Sequence, residues 1–265
     1  MDTEATIQLN NTESLEAKVR FLSLPETYGD TEKVEVLETH MSWVFLTDKY
    51  VYKLKKPVHY DFLDFRSIES RQQCCLEEVR INKPLAGDTY LKVVPLVSSR
   101  HALRLAGSGE VIDWLVKMKR LPREHMLDSM ILKKTIRFDW VQRAAEVLAD
   151  FYLACPAADI GERDFKNQII QDINKNSKGL LRKEFKLNSA SIIGITASLL
   201  HFLVENNDLF CSRVHEGRVI DGHGDLRPEH ICLAPGPAVI DRIEFDKSLR
   251  VIDVAEELSF LSVEC

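Results

Sequence analysis

The sequence predicts an α+β fold in two lobes, a strand-rich first half joined to a mostly helical second half. Three observations carry this. Between residues 34 and 119, short runs rich in β-branched and aromatic residues alternate with turn residues, and one helical stretch interrupts them. Beyond Pro122 the apolar spacing changes to the rhythm of amphipathic helices. The 265 residues, 45% of them hydrophobic and 29% charged, suit one large domain or two lobes sharing a cleft. The expected division is a first lobe of residues 1–118 and a second of 119–265.

The elements follow in order. Residues 1–12 read as disordered. TESLEAKVRFLSL reads as a helix with Thr12 as its cap, Glu16 in its first turn and Leu15, Val19 and Leu22 on one face. A turn follows at Tyr28, Gly29 and Asp30. VEVLETH, SWVFLT and YVYKLKKPV read as antiparallel strands, with a hairpin near Asp48 between the last two. Residues 67–86 form a helix capped by Ser67, with Ile68, Cys75, Val79 and Leu85 inward. YLKVVPLV, HALRLA and VIDWLVKMKRL are further strands, stopped by Pro122. Residues 138–155, 161–181 and 189–207 are helices. RVID, ICLA and AVIDRIEF are short strands, the last containing Asp241, and DVAEELSFLSVEC closes as a helix.

Composition narrows the function. A net charge of −6 argues against a general nucleic-acid binder. No apolar run reaches the ~18 residues of a membrane span, and the acidic, polar N-terminus lacks the build of a secretory signal. A cytoplasmic protein is expected. The six cysteines form no CxxC pair, so adjacent Cys74 and Cys75 read as packing residues in a reducing compartment.

The chemistry concentrates in HGDLRPEHICL, residues 223–233. Asp225 sits on a loop after a short strand, Gly224 permits a backbone turn there, Leu226 anchors the loop and Pro228 stiffens it. If the strands around it pair as a hairpin, Asp225 and Asp241 approach one cleft. Phosphoryl transfer needs two such carboxylates, one to receive the nucleophile's proton and one to hold a hard cation against the phosphates. HGD alone is more often an ordinary turn in which Asp caps nearby backbone N–H groups; it is the added spacing to ValIleAsp that favours chemistry.

HGDL followed by an Ile-Asp strand resembles the aminoglycoside phosphotransferase branch of the protein-kinase-like superfamily. ETHMSWVFL, VYKLKKPV, EEVRIN and HGDLRPEHICL are similar to stretches of one bacterial subgroup of aminoglycoside-phosphotransferase-like proteins, and the likeness runs from about residue 35 to 260. It implies a two-lobed protein-kinase-like fold, with ATP and Mg²⁺ (or Mn²⁺) as cofactors. Asp225 matches the catalytic-loop base, His223 the residue that braces that loop, and Asp241 the metal-binding aspartate, here followed by Arg242 and Ile243 instead of Phe-Gly. Asp253 matches a loop-supporting aspartate and reads equally as a helix cap.

His230 stands where such enzymes carry an asparagine that ligates a second Mg²⁺. Three readings stand: it binds a softer metal such as Mn²⁺, it acts through a hydrogen bond beside a single ion, or the site is a pseudokinase's. Glu244, three residues after Asp241, is a candidate for the missing oxygen ligand.

A kinase-like site also needs a lysine held by a helix carboxylate. Lys53 is the first candidate and Lys55 the second, both on one face of their strand; an exposed basic edge is the plain alternative. The resemblance of EEVRIN favours Glu78 as partner, then Glu77, while Arg71 either braces the cleft or is exposed. Residues 39–42 either cover the phosphates or form a strand turn. No GxGxxG occurs between residues 30 and 50, and no GxxxxGK[ST] anywhere, which argues against a P-loop enzyme. The resemblance places the nucleotide base against LVKMKRL, with backbone groups near Met118 to Arg120 as hydrogen-bonding partners and Met118 on the ring.

The expected function is an ATP-dependent phosphotransferase acting on a small hydroxylated molecule; the alternative is a nucleotide-binding pseudokinase serving as a regulatory or scaffold module. The acceptor is not encoded in any motif. Related enzymes continue with more helices, so a chain truncated at its C-terminus, with a protein partner completing the pocket, is a further expectation.

Overall fold

The computed structural model describes residues 14–29, 31–60, 63–99 and 102–265. The stretch expected to be disordered, the Thr12 cap and Asp30 lie outside these residues. Helix α1 (Leu15–Leu22) begins instead at Ser14, whose hydroxyl accepts the Ala17 N–H at 3.2 Å.

Strands β1 (Glu35–Glu38), β2 (Ser42–Leu46) and β3 (Tyr50–Lys55) form the expected meander. A small hairpin of β4 (His59–Tyr60) and β5 (Leu63–Asp64) leads to α2 (Ile68–Ala86). Then come β6 (Tyr90–Ser99), β7 (Ala102–Leu105) and β8 (Glu110–Lys119). The six-stranded sheet has the order β1-β2-β3-β8-β6-β7, antiparallel throughout.

Alternation along β3 divides the sheet's two faces. Tyr52 and Leu54 turn toward α1, where Leu22, Phe45, Leu96 and Leu115 complete a core; Leu22, Phe45, Leu54, Leu96 and Leu115 are fully buried. Each such side chain contributes about 1.5–3 kcal/mol through burial. Lys53 and Lys55 turn the other way, toward α2, whose Cys75 packs with Ala86, Tyr90, Val116 and Met118. Cys74 packs with Leu63 and Phe65. Both cysteines are therefore packing residues, as expected. Ser67 caps α2, accepting the Ser70 N–H at 3.0 Å.

Arg71 is buried and faces away from the cleft. It donates two hydrogen bonds to Asp113, at 2.8 and 3.0 Å, and Lys18 of α1 donates to the same carboxylate at 2.8 Å. One aspartate thus ties α1, α2 and β8 together.

The second half contains α3 (Leu127–Lys133), α4 (Phe138–Ala154), α5 (Glu162–Leu180), α6 (Ser189–Glu205) and α7 (Asn207–His215). Helices α3 and α7 were not anticipated. No single helix among the described residues is long and apolar enough to cross a membrane; α6 and α7 reach that length and composition only as a pair bent by 66°. The chain ends in β9 (Val219–Asp221), β10 (Ile231–Cys232), β11 (Ala238–Val239), β12 (Val251–Asp253) and α8 (Val254–Glu264). The α+β arrangement is the expected one: an antiparallel sheet with its helix, then a mostly helical half.

Two strand assignments need correction. The strand before His223, β9, pairs with β12 and not with the strand before Asp241, while β10 pairs with β11. And β11 ends at Val239, so Asp241 stands outside any strand, with φ +63°.

Candidate functional site

The loop 222–230 is built from within. Gly224 has φ +85°, and a Cβ there would lie 2.8 Å from the Leu249 carbonyl oxygen, so both the turn and the close approach require glycine. Its N–H donates to Glu257 Oε1 at 2.7 Å, and Tyr152 donates to the other oxygen of Glu257 at 2.7 Å. Leu226 is buried among Leu127, Leu148 and Ile231. Pro228 opens a short 3-10 turn, which closes with the His230 N–H on the Arg227 carbonyl.

His223 is fully buried. Its Nδ1 accepts the Asp225 N–H at 3.3 Å, so the ring proton sits on Nε2, which donates to the Ile240 carbonyl at 2.8 Å. Burial pushes its pKa down to about 3, so the ring is neutral near pH 7. The ring stacks on His230 at a centroid distance of 5.9 Å. His230 Nδ1 donates to the Asp225 carbonyl at 2.9 Å, and the Ile240 N–H donates to the His230 carbonyl at 2.9 Å. The two histidines thus join the Asp225 loop to the residue before Asp241. Asp225 is 41% exposed; partial burial raises its pKa against the lowering effect of His230 and Arg227, and Glu229 and Asp241 raise it further.

Asp241 belongs to a segment without regular structure, 240–246, fixed by side chains. Its N–H donates to the Tyr90 hydroxyl at 3.1 Å, and that hydroxyl lies 3.2 Å from Asp241 Oδ1. The Arg242 N–H donates to Asn82 Oδ1 at 3.0 Å. The Arg242 guanidinium reaches the carbonyls of Gly222, Ile81 and Asp221 and the Asp221 carboxylate.

Lys53 bridges the halves: its ammonium lies 2.7 Å from Glu78 Oε1 and 2.6 Å from Asp241 Oδ1. Lys55 contacts Glu78 Oε2 and lies 2.5 Å from Glu244 Oε1. Burial opposes every charge here, yet the pairing dominates. Lys53 and Lys55 are held well above the ordinary lysine range, and Glu78 and Asp241 below the ordinary carboxylate range.

The predicted residues sort accordingly. Lys53, Glu78 and Asp241 come together, with Asp225 and His230 one loop away. Glu77 is instead on the surface with Arg80. Lys55 and Glu244 pair with each other, so Glu244 is turned to an ammonium. Among the described residues no group of three His, Cys, Asp or Glu side chains is arranged as a metal cage, so the set of Asp241, His230 and Glu244 is not assembled. Asp241 Oδ2 takes no hydrogen bond among the described residues and is the oxygen available to a cation. Asp253 caps α8 and pairs with Arg213, while Glu257 supports the loop.

A cleft of about 520 Å³ opens beside Lys53 and Asp241, walled by Val44, Val51, Met118, Leu121, Met126 and Ile240, with Arg120 and Glu229 also lining it. The hydrogen-bonding groups expected at Met118 to Arg120 are partly used: the Lys119 and Arg120 N–H groups donate to the Thr89 and Lys49 carbonyls, and the Arg120 guanidinium donates to the Thr47 carbonyl. The Leu121 N–H, one step further, makes no hydrogen bond among the described residues. Residues 39–42 form a strand turn, with the Ser42 N–H on the Thr39 hydroxyl, and do not line this cleft.

Sequence reasoning missed Tyr90, Arg242 and Glu257. Asn82 was in view as the last letter of EEVRIN, and Asp221 as the end of RVID.

Comparison with known proteins adds relatives at moderate distance. No family model matches the sequence. Uncharacterized proteins of Mycobacterium tuberculosis (strain H37Rv) and Mycobacterium bovis are 30% identical over 238 residues, which is 89% of this chain and 46% of theirs. The chain thus spans about half the length of these relatives. Among solved structures, the GDP and kanamycin complex of APH(2")-IIIa is similar with a TM-score of 0.47 at 15% identity, over 95% of this chain and 79% of that one.

Proposed function

We propose that the chain is an ATP-dependent phosphotransferase acting on a hydroxyl of a small molecule. The observation that carries this reading is the Lys53 ammonium, held between Glu78 and Asp241 at the side of a cleft, one loop away from a half-exposed Asp225.

The apolar wall of Met118, Leu121 and Ile240 receives the base, and the Leu121 N–H is a free donor for it. Lys53 neutralises the phosphates next to the base, and Glu78 keeps it aimed. Asp225 orients the acceptor hydroxyl and takes its proton as the oxygen attacks the terminal phosphorus and the bond to the ADP oxygen breaks. Its raised pKa suits proton transfer better than an ordinary aspartate's. A magnesium or manganese ion would supply charge neutralisation across the terminal phosphates; Asp241 Oδ2 would hold it together with phosphate oxygens, the sparse protein ligation that Mg²⁺ commonly has. His230 donates its Nδ1 proton to the Asp225 carbonyl and so positions the loop. Catalysis rests on positioning and charge.

The division into lobes at residues 118 and 119 belongs to this reading, as do a cytoplasmic location and the lack of membrane partners; the net charge of −6 supports the lack of nucleic-acid partners.

The test is ATP consumption over a panel of hydroxylated metabolites, with Mg²⁺ and with Mn²⁺, alongside thermal stabilisation by nucleotide. Asp225→Asn is expected to retain nucleotide stabilisation and lose about 10²–10⁴-fold in turnover. Near-wild-type turnover by that variant removes the assignment. Stabilisation of the wild type without turnover on any acceptor moves the chain to the pseudokinase alternative.

A further inference from the structure

We propose that Lys55 and Glu244 form a positioning pair that sets where Asp241 stands; this rests on the phosphotransferase reading. Both residues were natural candidates for direct contact with the nucleotide or its cation. The geometry points elsewhere. Lys55 is 2% exposed and Glu244 10%, their charges face each other at 2.5 Å, and neither lines the cleft that Lys53 and Asp241 border.

Their place in the charge cluster shows what they do. Glu78 gives one oxygen to Lys53 and the other to Lys55. Lys53 continues to Asp241, and Lys55 continues to Glu244. The chain of contacts therefore leaves the 240–246 segment at residue 241, passes through two lysines and one glutamate, and returns at residue 244. No strand or helix holds this segment; its backbone N–H groups at Ile240 and Ile243 donate to the His230 and His223 carbonyls, on either side of Asp241 and Arg242. Asp241 also adopts φ +63°, a left-handed conformation that a non-glycine residue keeps where its surroundings support it. Arg242 is fixed on one side by Asn82 and Asp221, and Phe245 packs by Leu63, Phe65 and Cys74 on the other. Glu244 is the charged anchor between them. With its carboxylate removed, Lys55 pulls on Glu78 alone, and the path from Glu78 through Lys53 to Asp241 loses its second tie to the 240–246 segment.

The test reads cation affinity, not turnover. In purified wild-type protein, the Mg²⁺ concentration giving half-maximal thermal stabilisation by ATP is titrated, beside stabilisation by ATP in EDTA. Glu244→Gln keeps the shape and removes the charge. It is expected to raise the Mg²⁺ requirement about tenfold, the lower end of what loss of an outer-shell partner costs, while stabilisation in EDTA stays near wild type. Lys55→Met is expected to do the same, and the double variant to add little, because the pair acts as a unit. Glu244→Asp, which retains the charge, shifts the requirement in the same direction by a smaller factor and serves if the glutamine variant fails to fold. Unchanged Mg²⁺ requirements in variants that merely melt earlier, or fully additive effects of the two substitutions, overturn the proposal. No stabilisation of the wild type by ATP under any condition overturns the phosphotransferase reading itself, and the pair's role with it.

Discussion

His223 donates its Nε2 proton to the carbonyl oxygen of Ile240 at 2.8 Å, so a single imidazole joins the loop of Asp225 to the segment of Asp241. On the other side of the ring, Nδ1 accepts the Asp225 N–H, and that bond requires a neutral ring. That has a consequence for acid stability. The folded-state pKa is pushed down to about 3 by burial, below the unfolded value of about 6.5. The unfolded chain takes the proton first, so this group's contribution is fully present above about pH 6.5 and is lost as pH falls toward 3, at up to about 1.4 kcal/mol per pH unit. Urea unfolding at pH 7.5 and 5.5 checks it. Wild type is expected to lose about 1 kcal/mol more over that interval than His223→Asn; equal losses would mean that the ring does not titrate this way.

Gly224 and Gly194 make opposite predictions for the same substitution. At Gly224 the positive φ and the Leu249 carbonyl at 2.8 Å both oppose a side chain, and Gly224→Ala is expected to destabilise by about 2 kcal/mol or more. At Gly194, in the middle of α6, an added methyl group would meet no atom within 4 Å beyond the backbone of its own helix turns and its two neighbours, and Gly194→Ala is expected to stabilise by about 0.5–1 kcal/mol through helix propensity. Chemical denaturation of the two variants gives the signs directly.

Glu78 is buried and carries an ammonium on each oxygen. Glu78→Gln keeps the volume and leaves two buried lysines short of a counter-charge. Breaking a buried pair from one side costs about 3–5 kcal/mol. Glu77→Gln, one residue earlier on the surface, removes only a pair with Arg80 and is expected to cost under about 1 kcal/mol. Similar midpoints for the two variants in urea would contradict the buried cluster.

What the sequence made legible depended on range. Strands β1 to β3 and helices α2, α4, α5 and α6 declared themselves because their periodicity is local and strong. Helix α3 is only seven residues long, and α6 passes into α7 at Asn206 with no glycine or proline to mark the break. AVIDRIEF alternates like a strand, yet after Val239 its residues are anchored one by one to α2, β3 and the loop before β12, so the extended pattern there reports anchoring rather than pairing. Lys53 and Glu78 could be nominated from strand phase and motif likeness. Tyr90, Arg242 and Glu257 could not, because each acts on a partner far along the chain and only the fold brings them together.

The acid side of the rate profile is the sharpest check on Asp225. As the proposed base, its carboxylate must be ionised to accept a proton, so turnover is expected to fall as pH drops through its folded pKa. Burial raises that pKa above the ordinary aspartate value of about 3.9, with Glu229 and Asp241 adding to the rise and His230 and Arg227 opposing it. The acid limb of kcat/KM is therefore expected above the pH of an ordinary aspartate. Arg227→Gln removes a lowering charge and moves the limb up; Glu229→Gln removes a raising one and moves it down. The two shifts have opposite signs only if the titrating group lies beside both side chains, as Asp225 does. Limbs that coincide across wild type and both variants would assign the proton to another residue.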